Sequence, residues 1–98
     1  MHASIWKLDG DPDELARRYD ALLAEFPPGR IDLQLCLRAP DGLVIVDTCP
    51  SEEAFRAFAS SADFGALLER HDLPRPSRID DHPVHTAIAG GRVVVGSS

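Results

Sequence analysis

Four titratable side chains crowd one short stretch, Asp80-Asp81-His82-Pro83-Val84-His85. Imidazole titrates near neutral pH, so a histidine held beside a carboxylate can give and take protons. His85 is the candidate acid/base. If the stretch continues as a strand, Val84, Thr86 and Ile88 share one face and His85 and Ala87 the other. Asp47 is the carboxylate expected to accompany it. The alternative for His85 is a hydrogen-bonded histidine at a subunit interface. Arg38 is the candidate holder of an anionic or enolate oxygen, and the alternative is a structural ion pair with Asp47. Trp6 combines a large apolar body with one N–H, which suits either a core or a platform for a substrate ring. Tyr19 and His71 fall on helical segments from which they could border a pocket between helix and sheet, although Tyr19 also belongs to an apolar stripe.

Other chemistries are disfavoured by spacing. A zinc site needs three or four convergent ligands. His82 and His85 are three apart, which sends them to opposite faces of a strand, and no HExxH, zinc-spaced cysteine pair or EF-hand loop is present. No metal is therefore expected. No P-loop, GxGxxG or GxSxG appears, so no cofactor is implied. Cys36 and Cys49 have no neighbour in sequence that would lower a thiol pKa, and they read as free thiols. The net charge of -6, with Lys7 the sole lysine, argues against nucleic acid as a partner. No run of about 18 apolar residues is present, so no membrane span is expected. The N-terminus lacks a secretory pattern, which leaves the cytoplasm as the expected location.

The elements that must position these residues follow from periodicity. The 98 residues fit one domain, 1–98, with 90–98 as a mobile tail or short arm. Residues 2–9 read as a strand ended by Asp-Gly-Asp-Pro. Asp11, Pro12 and Glu14 are a helix start, and Leu15, Tyr19, Leu22, Leu23 and Phe26 form its apolar stripe until Pro27-Pro28-Gly29 stops it. Residues 31–39 alternate strictly, and Asp41-Gly42 signals a two-residue hairpin into Leu43–Cys49. Ser51 caps a second helical region that kinks near Ser60–Phe64. A final strand is expected over 78–89. The order β-α-β-β-α-β is the ferredoxin-like pattern: an α+β fold with a four-stranded antiparallel sheet and two helices on one face.

With Asp41 and Gly42 in the turn, Cys36 pairs with Asp47, Gln34 with Cys49 and Arg38 with Ile45. One face then holds Leu33, Leu35, Leu37, Val44, Val46 and Thr48, which is expected to meet the helices. The other holds Gln34, Cys36, Arg38, Leu43, Ile45, Asp47 and Cys49. It is too apolar for solvent and too polar for a dry core, so it suits a subunit interface or a pocket.

The element order at this length, the opening strand Ser4–Gly10 and the kinked second helix Phe55–Pro74 resemble the dimeric α/β-barrel superfamily, in its antibiotic-biosynthesis-monooxygenase-like branch, over residues 2–89. The resemblance implies a homodimer whose two sheets close a barrel with the helices outside. It also implies a range of activities: cofactor-free monooxygenases of polycyclic aromatics, polyketide cyclases, haem-degrading enzymes, muconolactone isomerases and stress-response proteins. The cofactor-free oxygenases are associated with Asn, Trp and Arg in the pocket. This chain has no asparagine, which leaves Trp6 and Arg38. Two functions are carried forward. One is a small cofactor-free monooxygenase, cyclase or isomerase acting on a hydrophobic or aromatic metabolite, with His85, Arg38 and Asp47 catalytic and Trp6, Tyr19 and His71 around the substrate. The other is a non-catalytic dimeric module for ligand binding or stress response.

Overall fold

The computed structural model of the chain describes residues 1–25 and 33–95. Phe26, the Pro27-Pro28-Gly29 stop, Ile31, Asp32 and the last three residues of the tail lie outside the described residues. The elements are β1 (His2–Asp9), α1 (Pro12–Leu23), β2 (Gln34–Ala39), β3 (Gly42–Cys49), α2 (Glu52–Ala59), α3 (Ala62–Arg70), β4 (Arg78–Pro83), β5 (Ala87–Ala89) and β6 (Arg92–Val95). Strands β1 to β4 form an antiparallel sheet in the order β2-β3-β1-β4. This is the ferredoxin-like α+β arrangement, with α2 and α3 together in the place of the second helix.

Local chemistry accounts for the helix boundaries. The Asp11 carboxylate accepts the Glu14 N–H at 2.9 Å, and Pro12 occupies the first turn, where its missing N–H costs nothing. Ser51 and Ser61 each accept an N–H three residues on, from Ala54 and Phe64. The expected kink is therefore a break between two separately capped helices. Ser60 ends α2, and its hydroxyl bonds back to the Arg56 carbonyl at 2.7 Å, the competition with helical bonding that makes serine a helix punctuator.

The hairpin between β2 and β3 differs from expectation by two residues. Gln34 pairs with Asp47, Cys36 with Ile45 and Arg38 with Leu43, so Pro40 and Asp41 form the turn. Gly42 is needed in the strand instead. It lies opposite Asp9 of β1, and a Cβ there would sit 1.9 Å from the Leu8 carbonyl oxygen. Only glycine permits that approach. A slip of two keeps every side chain on its face but moves Arg38 away from Asp47, and the anticipated pair is absent. Arg38 is exposed and meets Asp13 of α1 at 3.4 Å.

The two faces of the sheet are the reverse of the expectation. The helices cover the side carrying Trp6, Leu8, Leu43 and Ile45, and these pack with Leu15, Tyr19, Leu22, Phe55, Leu67, Leu68 and Leu73. The cleaner apolar set lies on the uncovered side, where Leu35, Leu37 and Ile5 are 51, 49 and 43% exposed. Cys36 and Asp47 thus belong to the helix side. The final strand also ends early. Its antiparallel partner β1 begins at His2, opposite Pro83, and the last bond is from the Val84 N–H to the Met1 carbonyl at 2.9 Å. Beyond it, β5 and β6 form a separate two-stranded ribbon through Gly90-Gly91, both at positive φ (59° and 77°) as a tight hairpin turn requires.

Candidate active site between the sheet and the helices

Direct cross-strand neighbours share a face. One such row crosses the sheet on the helix side: Gln34 of β2, Asp47 of β3, Ser4 of β1 and Asp81 of β4. The neighbouring row is apolar at its centre, with Ile45 beside Trp6. A cavity of about 330 Å³ lies over these rows, between the sheet and all three helices. Its aromatic wall is Trp6 with Phe55, Phe58 and Phe64, and the Trp6 ring centre lies 5.1 Å from Phe64 in an edge-on contact. Its polar groups are few: Ser4, Gln34 and Asp47 from the polar row, and Tyr19, Thr48 and Cys49 around them.

Asp47 is the one ionisable carboxylate among the described lining residues, and no Lys, Arg or His is among them. Burial pushes its pKa above the ordinary carboxylate value, partly offset by the Thr48 N–H, which donates to Oδ1 at 2.8 Å. Oδ2 has no partner among the described residues. The Tyr19 hydroxyl donates to Gln34 Oε1 at 2.6 Å, and burial raises the phenol pKa well above its usual value, so Tyr19 stays a neutral donor. The Trp6 indole N–H donates to Ser4 Oγ at 2.6 Å, with both residues buried. Cys49 lines the cavity near its end. Partial burial raises its thiol pKa, so it is not activated as a nucleophile.

Of the six residues singled out from sequence, Asp47, Trp6 and Tyr19 come together in this cavity. Arg38, His71 and His85 do not line it. Arg38 and His85 are exposed, and His85 sits beyond the end of β4 rather than on a strand. His71 caps the C-terminus of α3 and meets the Glu25 carboxylate of the α1 end. The histidine that is buried beside a carboxylate is His2, 5% exposed, with Nε2 2.7 Å from Asp81 Oδ2 and its ring 5.8 Å from that of Phe55. Ser4 and Gln34 were not singled out from sequence. The signal for Ser4 lies in β1, where the polar His2 and Ser4 share a face with Trp6 and Leu8. Polar residues on the bulkier face of a strand mark a lined pocket. Among the described residues no helix is long and apolar enough to cross a membrane.

No protein-family model matches the chain, and no curated protein does. Among solved structures it is similar to a crystal structure from Chloroflexus aurantiacus J-10-fl that bears the provisional name antibiotic biosynthesis monooxygenase. The two superpose with a TM-score of 0.60 at 16% identity, over 91% of this chain and 98% of that one. The likeness is one of fold, and it agrees with the architecture that the order of elements implied.

Proposed function

We propose that this chain is a small enzyme that acts without a cofactor on a hydrophobic or aromatic metabolite, with the sheet–helix cavity as its active site and Asp47 as acid/base. The observation that carries the reading is a single carboxylate of raised pKa set in a 330 Å³ cavity with a wall of four aromatic rings. That volume lies at the low end of small-molecule sites. A carboxylate kept from water is a stronger base than a solvated one, and its raised pKa brings it closer to neutral operating conditions. Trp6 and the phenylalanines would hold a ring, and Tyr19 would act through Gln34 as a neutral hydrogen-bonding group.

Monooxygenase, cyclase and isomerase chemistry share one first step. A proton leaves a carbon next to a carbonyl or an aromatic ring and passes to the Asp47 carboxylate, while its electron pair stays on the substrate. An isomerase returns the proton to another carbon. A cyclase lets the carbanion attack a carbonyl of the same molecule. In an oxygenase, dioxygen accepts the electrons: a CH₂ becomes C=O, and its two hydrogens leave as water with the second oxygen atom. The name of the similar solved structure supports the oxygenase version.

A homodimer is part of the same reading. Leu35, Leu37 and Ile5, with Val44 and Val46, make an apolar surface on the uncovered side of the sheet, and a second copy seated there would close a barrel. The cytoplasm suits Cys36 and Cys49, which are both free.

Oxygen uptake with anthrone as the probe tests the enzymatic reading. Turnover by the wild type and a loss of about 10²-fold or more in Asp47→Asn, with anthrone still bound, would support it. Full turnover in Asp47→Asn would refute the assignment. Binding of anthrone and related phenols without any turnover would favour the non-catalytic module.

A further inference from the structure

Ser4 is 3% exposed and lines the cavity. An indole N–H can only donate, so in the 2.6 Å bond from Trp6 Nε1 the Ser4 oxygen is the acceptor. The hydroxyl proton of Ser4 is therefore left to be donated elsewhere, and no acceptor takes it among the described residues. A buried donor without an acceptor is costly, so such a group is expected to meet a ligand or a water. Accepting the Trp6 bond also polarises the hydroxyl and makes it a better donor. Ser4 lies directly opposite Asp47 and both line the cavity over the β1–β3 pair, so a ligand atom seated above them can meet both. Arg38, the cation expected to hold a developing negative charge, is elsewhere, and the described lining residues include no other cation. Neutral donors held in place in a dry cavity can fill that role.

We propose that Ser4, oriented by the Trp6 indole, donates its hydroxyl proton to a ligand hydroxyl oxygen whose own proton is given to Asp47, making it the neutral donor that holds an uncharged ring hydroxyl in this cavity. The inference rests on the reading of the cavity as a ligand site. It gives Ser4 an uncharged oxygen to hold, where Arg38 was expected to hold an anionic or enolate one. Ser4 undergoes no covalent change.

The test compares two fluorinated probes of similar shape by ¹⁹F NMR titration: 4-fluorophenol, which carries the oxygen, and 4-fluorotoluene, which does not. The wild type is expected to bind the phenol more tightly. Ser4→Ala should lose about tenfold in affinity for 4-fluorophenol, the worth of one well-made hydrogen bond, with 4-fluorotoluene unchanged. Ser4→Thr, which keeps the hydroxyl, should retain the preference. Equal weakening of both probes in Ser4→Ala would mean a packing role and overturn the inference, as would an unchanged phenol affinity. If the wild type binds both probes equally, the cavity stands as a ligand site and the assignment of Ser4 falls. If the wild type binds neither, the ligand-site reading falls and takes this inference with it.

Discussion

Replacing Leu35 and Leu37 together by alanine tests which face of the sheet meets a second copy of the chain. The two side chains are 51 and 49% exposed, on the side with no helix. Complete burial of a leucine is worth about 2 kcal/mol relative to exposure, so each has about 1 kcal/mol left to gain when that face is covered. A two-fold interface uses the same patch from both partners, which doubles the effect of each substitution. The pair of substitutions should therefore weaken the dimer by about 4 kcal/mol, roughly a thousandfold in its dissociation constant. Neither side chain belongs to the core, so the folded protomer should survive. Sedimentation equilibrium over a wide concentration range reads the shift from dimer towards the 10.7 kDa protomer. Arg38→Ala, on the helix side, should leave the dissociation constant unchanged. A double variant that dimerises as tightly as the wild type, or a wild type that stays at protomer mass at every concentration, would refute the reasoning.

Three further outcomes follow from particular contacts. Asp47 in the folded state keeps its proton to higher pH than the ordinary value of 3.8, so the unfolded chain binds fewer protons in that window and stability falls as pH rises from 3.8 through the raised value. Asp47→Asn should flatten that part of the curve in urea titrations across pH, and parallel slopes would count against the half-buried carboxylate. Gly42→Ala would place a Cβ 1.9 Å from the Leu8 carbonyl and should cost about 3 kcal/mol by forcing the central β1–β3 pair apart, read as a lowered denaturation midpoint. Leu43→Ala, at a position 0% exposed, should cost about 3–5 kcal/mol in the same measurement, because the rigid sheet beneath it limits collapse around the void.

The local elements were legible because their causes are local. The Asp11-Pro12 start of α1 and the alternation around Leu35 and Leu37 depend on residues a few positions apart. So does the order of strands and helices, from which the ferredoxin-like fold follows. The division of β2 and β3 into two side-chain sets was legible for the same reason, since a strand has a period of two. Two departures from these expectations have causes far away in the chain. Asp41-Gly42 has the composition of a tight turn, and nothing near it in sequence shows that β1 passes close enough to demand glycine in the strand. The strand expected over 78–89 ends at Pro83, because its length is set by where β1 begins, some 80 residues away.

By itself, then, the sequence determined the order β-α-β-β-α-β and which side chains of β2 and β3 travel together. Only the tertiary structure decided which set faces the helices. Leu35, Leu37, Val44 and Val46 are the more uniformly apolar set, yet antiparallel pairing puts Trp6 and Leu8 of β1 beside Ile45 and Leu43 of the mixed set. Those bulkier side chains draw the helices to their own side. That placement carries Ser4, Gln34 and Asp47 inward with them, while Arg38, on the same side, stays exposed on the edge strand β2 and His85 lies past the end of β4. Alternation divides a strand into two faces without ranking them, and the ranking comes from contacts between segments far apart in the chain.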